Sequence, residues 1–407
     1  MKILLFSYLF PNSKLPNRGI FNLSRAKALT NAGCSVIAVA PVSVNPNLKD
    51  LLSLSGIKKQ FVLLNKLRSV PRLEVYEGIK VYHPKWITAP RKFFWKYLPD
   101  ILHFFAGKEI DGIISEFKPD LIISTWVNPF SAYANYFKKY IGVKHFAVAE
   151  GSDVLVQPSS FKGWSRIEKL INENSDLVIA VSQKMKEQME HTTGLKRIKL
   201  INNGYDENIF TFKNPNGKFA ADYLKIVTVA NFNYEKGHDI LFEALRLLKI
   251  KFKLTLAGDG PLRERYERAV KEYGLQNDVI FLGQVPHSRI PELLAAQDLF
   301  CLPSRSEGFP AAPLEAMACG LPVVAADVGG MNEIITGGFN GYLFMPGSKE
   351  ELAQKIMSAS WTRWDHKEIS EWVLKNFSWS AWAAKIIRSY DDTNLKTEET
   401  VLHGAVL

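Results

Sequence analysis

Cysteine is scarce in this chain of 407 residues: there are three, Cys34, Cys301 and Cys319. Their spacing fits no metal-ligand pattern, and an odd, scattered set excludes a disulfide framework, which predicts buried, reduced thiols in a cytoplasmic protein. Long apolar runs are also missing. None approaches the roughly 20 residues that cross a bilayer. The opening MKILLFSYLF resembles a short signal core, yet no small-residue cleavage site follows, so it reads as a first buried strand. There is no low-complexity tract, no nucleic-acid-binding motif and no acidic pair with the look of a metal site. The first strand is not followed by G-x-G-x-x-G, which leaves a nicotinamide-dinucleotide reading with little support.

What the chain does contain is enough apolar residue, 47%, for a folded globular protein, and a length that suits two domains of roughly 200 residues. The net charge of +10 is unevenly placed. Up to residue 200 there are 29 Lys and Arg against 15 Asp and Glu, and beyond it 22 against 26. One half is basic and the other slightly acidic, so the basic half calls for an anionic partner or surface.

Strands and helices alternate through both halves. Lys2 to Tyr8 reads as a strand, Phe21 to Asn31 as a helix closed by Gly33, and Ser35 to Ala40 as the next strand. Buried strands follow at Asp120 to Ser124, His145 to Ala149 and Asp176 to Val181, with Ser182 capping the next helix. The alternation restarts with strand Leu224 to Ala230 and helix His238 to Leu248, then strands at Lys253 to Ala257 and Val279 to Leu282. Phe377 to Tyr390 carries Trp379, Trp382, Ile386 and Ile387 on a helical period, and 393–407 shows no pattern and is predicted to fray. Repeated strand–helix units predict two doubly wound α/β domains.

The stretch from Leu299 to Ile335 organises the second half. An apolar strand, Leu299 to Leu302, breaks at Pro303, and a loop carries Glu307-Gly308-Phe309-Pro310. A helix starts near Ala312, ends at Gly320, and gives way to strand Val323 to Ala326. In such a unit ligands bind beyond the carboxyl ends of the strands. Gly308, Ala311 and Ala312 admit a ligand close to the backbone, and a helix start favours an anion, most often phosphate. Carboxylates at 307 and 315 can accept bonds from sugar hydroxyls at either end of it. The alternative is that Glu315 only complements the helix start and Glu307 is solvated.

Glu307-Gly308-Phe309-Pro310 with Glu315, followed by EAMACGLPVVAADVGG, resembles the donor signature of family 4 retaining glycosyltransferases with the GT-B fold. The resemblance is strong from about Lys225 to Gly347 and weaker before Gly151. It implies two Rossmann-like domains facing across a cleft, 1–203 for the acceptor and 204–377 for the nucleotide sugar. Asn203-Gly204 in INNGYDENIF would be the link, and the helix at about 378–390 would pack back on the first domain. By resemblance Glu307 contacts the transferred sugar, Glu315 the ribose, and the backbone of Gly308, Phe309, Pro310 and Ala311 lies along the sugar and diphosphate. Gly19 falls where a first-loop glycine approaches the donor phosphate. Lys236 is the diphosphate cation, and Gly258 and Val285 belong to the donor pocket, Val285 on the nucleobase side. Two positions depart from the pattern. Glu150 stands where relatives carry His against the reacting sugar, leaving open whether it bonds the donor, serves the acceptor or is an ordinary loop carboxylate. Asn231 stands where relatives carry a diphosphate-clamping Arg, for which Arg305 is a candidate replacement. Glu307, Glu150 and Lys236 are the catalytic candidates.

The implied reaction is retaining transfer from a nucleotide-diphosphate sugar, a UDP-sugar rather than a GDP- or ADP-sugar, to a glycan or lipid-linked acceptor. No cofactor and no metal is implied, because a helix start and a cation neutralise the leaving diphosphate. Basic and aromatic residues are interleaved from 56 to 108, densest in PRKFFWKYLPDILHFFAGK. With a lipid-linked acceptor they predict peripheral attachment to the anionic inner face of the cell membrane through Arg91, Lys92, Phe94, Trp95 and Lys96. No nucleic-acid partner is implied. A non-catalytic GT-B subunit that binds a nucleotide sugar is the alternative, and a GT-B epimerase a weaker one.

Overall fold

The computed structural model of the chain describes residues 1–16, 18–43, 65, 68–87, 92–155, 157–160, 163–213 and 222–404. It divides into two units, Met1–Ile201 with Trp382–Leu407, and Asn202–Ala381. The first crossing thus falls two residues before the predicted one, and the last helix returns to the first unit.

In the first unit one sheet holds eight strands, in spatial order Ile198–Leu200, Leu177–Ala180, Lys144–Ala149, Leu121–Thr125, Lys2–Phe6, Ser35–Val39, Ile79–Tyr82 and Leu73–Tyr76. All pair in parallel except the last, which is antiparallel to its neighbour. Segments such as LIIST and LVIA are buried at every position. That is how a parallel strand covered on both faces reads in sequence. Chain order reverses between Lys2–Phe6 and Leu121–Thr125, so their exit loops diverge and open a crevice. The antiparallel edge hairpin turns at Glu77-Gly78, both with positive φ (47° and 85°). It lies inside the basic aromatic segment, where no strands were predicted.

The second unit carries six parallel strands, in spatial order Val279–Gly283, Phe252–Ala257, Leu224–Val229, Leu299–Leu302, Val323–Ala326 and Gly341–Phe344. Numbered along the chain, these stand 3-2-1-4-5-6, the order of a dinucleotide-type doubly wound sheet. Leu241, Leu245, Leu254, Leu256 and Phe242 fill the space between sheet and helices. Each such side chain contributes roughly 1.5–3 kcal/mol by leaving water. The switch point lies between Leu224–Val229 and Leu299–Leu302, directly below the 231–237 and 303–310 loops.

The C-terminal segment differs from the sequence reading. Phe377 closes a separate helix, His366–Phe377, and Ser378 is extended. The final helix starts at Trp379 and runs to Gly404, well past the predicted end. Its start is capped from a distance: the Glu207 carboxylate accepts the Trp379 and Ser380 amides at 3.1 and 3.0 Å. The first strand, Leu299–Leu302, Val323–Ala326 and the Ser182 cap follow the predicted lines within two residues, with Ser182 Oγ accepting from the Met185 amide.

Candidate active site

The site in the second unit is assembled by two loops leaving adjacent strands. Strand Leu224–Val229 feeds a turn that ends at Lys236, and strand Leu299–Leu302 feeds the loop to Glu307. Lys236 Nζ and Ser304 Oγ both donate to Glu307 Oε1, each at 2.6 Å. The Glu307 side chain is 8% exposed and that of Lys236 24%. Oε2 has no donor among the described residues and remains open to a hydroxyl. The loops are packed backbone on backbone. A Cβ on Gly237 (φ 66°) would stand 2.0 Å from the Pro303 carbonyl, and one on Gly329 (φ 59°) 2.3 Å from the Glu307 carbonyl. Only glycine fits at either place, and Glu307 is held where the sheet divides.

Beyond Glu307 the chain turns at Pro310 into helix Ala311–Ala318, and no side chain caps its start. The amides there are left for an anion. Gly308 is fixed through its carbonyl, which accepts from the Gly330 amide at 3.0 Å, and Phe309 is buried against Phe377 with ring centroids 5.7 Å apart. Glu315, on the same helix, meets His287 Nε2 at 3.3 Å. That hydrogen bond raises the imidazole pKa above its ordinary value. His287 was not anticipated, and the only sequence signal was its place two residues after Val285, past the exit of strand Val279–Gly283. Gly258 donates its amide to the Gly283 carbonyl at 2.8 Å and so sits beside that exit.

Arg305 does not stand in for the arginine missing at 231. Its guanidinium makes a two-pronged pair with Asp239 at 2.9 and 2.7 Å, bonds the Tyr234 carbonyl and stacks on the Tyr234 ring at 4.1 Å. Asp239, in the first turn of the neighbouring helix, is the nearer anion and takes both prongs. Asn231 is exposed. Lys236 is therefore the cation that the geometry places beside Glu307.

In the first unit Gly19 is the N-cap residue of helix Ile20–Asn31. Glu150, at the end of strand Lys144–Ala149, is bound to Arg25 by both oxygens, at 2.5 and 3.3 Å. Arg25 is completely buried, bonds Asn22 Oδ1 and lies over the Trp382 ring of the final helix at 5.4 Å. Nothing local in the sequence marks this partner, since Arg25 is a helix residue 125 positions away. Asp153 does more than cap a turn: fully buried, it accepts the amides of Gly151 (2.8 Å), Val127 (2.9 Å) and Glu150 (3.1 Å). Burial pushes its carboxyl up to about 6. At the switch point of this sheet Tyr8, Trp86, Trp95, Trp126 and Phe130 line a cavity of about 300 Å³ together with Arg18.

The predicted membrane run is not one surface. Arg91 lies outside the described residues, as does the side chain of Lys92. Phe94 is 40% exposed, but Trp95 turns inward to the cavity, and Lys96 folds over the Tyr97 ring at 4.9 Å. Large apolar exposure lies instead at Phe104 (81%) and Phe105 (46%) on helix Leu98–Phe117. No helix among the described residues is long and apolar enough to cross a membrane, and no three His, Cys, Asp or Glu side chains there converge on a metal position.

Two doubly wound α/β units, one with a Lys–Glu pair and an uncapped helix start at its switch point, define a glycosyltransferase of the GT-B type. Residues 25–209 match the family described as Glycosyltransferase Family 4, and residues 210–371 match Glycosyl transferases group 1. The chain belongs to this family of glycosyltransferases. It is 30% identical over 276 residues to the uncharacterized glycosyltransferase MJ1178 of Methanocaldococcus jannaschii, covering 67% of this chain and 75% of that one. It is 28% identical over 283 residues to N-acetyl-alpha-D-glucosaminyl L-malate synthase of Bacillus anthracis, covering 67% and 73%. Among solved structures it resembles Anabaena Alr3699/HepE in complex with UDP, with TM-score 0.68 and 21% identity over 96% of this chain and 100% of that one.

Proposed function

We propose that this glycosyltransferase moves a sugar from a UDP-sugar to a glycan or lipid-linked acceptor, with retention at the anomeric carbon and without a metal ion. The observation that carries the reading is the Lys236–Glu307–Ser304 cluster beside the open start of helix Ala311–Ala318. Glu307 Oε2 is free to take a hydroxyl of the transferred sugar. The helix amides and Lys236 would hold the two phosphates, and Glu315 with His287 would take the ribose. Charge that develops on the departing diphosphate then meets fixed donors in a half-buried site, and this is where electrostatic stabilisation lowers a barrier most. In a front-face route the departing phosphate accepts the acceptor's proton, so no side-chain base is needed. That accords with Glu150 being bound to Arg25. UDP is favoured because a neighbour of the same fold binds it.

The test is to incubate the purified chain with UDP-glucose, UDP-N-acetylglucosamine, GDP-mannose or ADP-glucose, with and without EDTA. Release of UDP, undiminished by EDTA, and a product of unchanged anomeric configuration by NMR are expected. Binding of UDP-sugar with neither hydrolysis nor transfer would favour a non-catalytic nucleotide-sugar-binding subunit, a reading supported by Asn231 in place of a second diphosphate cation.

A further inference from the structure

The cavity at the switch point of the first unit has a chemistry that the donor reading does not use. Strand Lys2–Phe6 delivers Tyr8 and strand Leu121–Thr125 delivers Trp126, while Trp86 and Trp95 close the sides. The Tyr8 ring stacks on Phe130 at 5.2 Å with planes 8° apart, and Trp126 stands edge-on to Tyr8 at 5.9 Å. Trp126 has φ 69°, a left-handed backbone that a bulky residue rarely adopts. Its neighbour Val127 is tied to the buried Asp153 carboxylate, so the conformation is imposed from outside the cavity. Strain of this sort is retained where a side chain has to be aimed. Over the Tyr8 ring, at 4.8 Å, lies the guanidinium of Arg18. Arg18 is half-buried, and no carboxylate pairs with it among the described residues.

The guanidinium meets the Tyr8 side chain through its ring and through a hydrogen bond, and burial weakens its charged form with no carboxylate among the described residues to offset it. Aromatic walls suit the C–H face of a pyranose ring, and Asn128 adds a polar group to the lining. We infer that this cavity binds the acceptor as an anionic saccharide, its ring against the tryptophans and its carboxylate or phosphate on Arg18. The inference rests on the proposed transfer reaction for the word acceptor, and on the cavity alone for the anionic saccharide.

Three tryptophans in the lining make binding visible without a donor. The full chain is titrated with methyl glucoside, methyl glucuronide and glucose 1-phosphate while tryptophan fluorescence is followed, and UDP binding is measured separately by calorimetry. A charge-assisted hydrogen bond predicts that at least one anionic sugar binds about tenfold to a hundredfold more tightly than the neutral glucoside. Whichever of the two wins names the anion, carboxylate or phosphate. In Arg18→Gln the preference should vanish while weak binding of the neutral sugar and UDP affinity persist. Equal binding of all three sugars, or a preference that survives in Arg18→Gln, overturns the inference. So does intact UDP binding with no response to any sugar. A response to anionic sugars without UDP binding would support the cavity assignment and count against the donor reading instead.

Discussion

At the scale of single residues, the two charged pairs have opposite jobs. Lys236–Glu307 is the pair that the proposed reading places at the donor, and each partner has a further bond to offer a ligand. Replacing Glu307 by Gln removes the charge facing the sugar but also releases Lys236 toward a diphosphate. Transfer is expected to fall by about a hundredfold or more, equivalent to ~3 kcal/mol, with UDP affinity unchanged or tighter. Steady-state kinetics beside UDP calorimetry checks this, and an equal loss in both would move Glu307 away from the sugar. Arg25–Glu150 is a packed pair, with side chains 0% and 10% exposed. Glu150→Ala takes the carboxylate away from a buried guanidinium, which costs about 3–5 kcal/mol. Urea unfolding should show a loss of that size, smaller in Glu150→Gln, which keeps a hydrogen-bond acceptor. An unchanged midpoint in Glu150→Ala would return Glu150 to the list of groups free to act on substrate.

At the scale of elements, the contact between helix Ala311–Ala318 and the turn before Ile290 depends on protonation. Hydrogen bonding to Glu315 raises His287 above 6.5, so the folded state holds a proton that the unfolded chain releases earlier. Its stabilising contribution is complete below pH 6.5 and is lost as pH rises through the higher folded value. Thermal midpoints of the wild type, taken relative to His287→Gln, should therefore decline as pH rises above 6.5. A difference that grows with pH would mean that the imidazole is not the partner that charges. Helix Leu98–Phe117 raises a second expectation. Leu102, Ala106, Ile110 and Ile114 face the core, while Phe104, Phe105 and Lys108 are exposed. Membrane attachment, if it serves this enzyme, should run through that face. Phe104→Ser with Phe105→Ser should cut partitioning onto anionic vesicles by at least about tenfold, since each aromatic contributes on the order of 1.5–3 kcal/mol when buried. Wild-type chain that ignores such vesicles at low salt would assign those rings to another partner.

At the scale of the whole molecule, the chain closes the first unit with its own end. Trp382, 1% exposed, and Ile386, 0% exposed, are core residues of a unit whose other members end at Ile201. Trp382→Ala is expected to cost about 3–5 kcal/mol in that unit. On the proposed reading UDP binds Asn202–Ala381, and because a ligand stabilises only the fold that binds it, UDP would label that unit's transition in calorimetry. The other transition should move down in Trp382→Ala while the UDP-sensitive one stays. Equal shifts of both would show that the units unfold as one.

The sequence by itself determined the repeating strand–helix order, because parallel strands covered on both faces have to be apolar throughout and glycines and prolines have to punctuate them. It grouped Glu307, Gly308, Phe309, Pro310 and Glu315 as one candidate site, because they lie close together in the chain and match a family signature there. The hairpin turning at Glu77-Gly78 carries a local glycine signal, but it sits in a segment whose charge and aromatics point to a surface. Partnerships across long separations were decided only by the tertiary structure: Arg25 with Glu150, Glu207 with the final helix, Arg305 with Asp239, Trp126 with Tyr8. A side chain's partner is set by which strands the sheet makes adjacent. Composition could show that the first half carries excess positive charge, but whether Arg18 meets a carboxylate there or waits for one depends on what the fold leaves beside it.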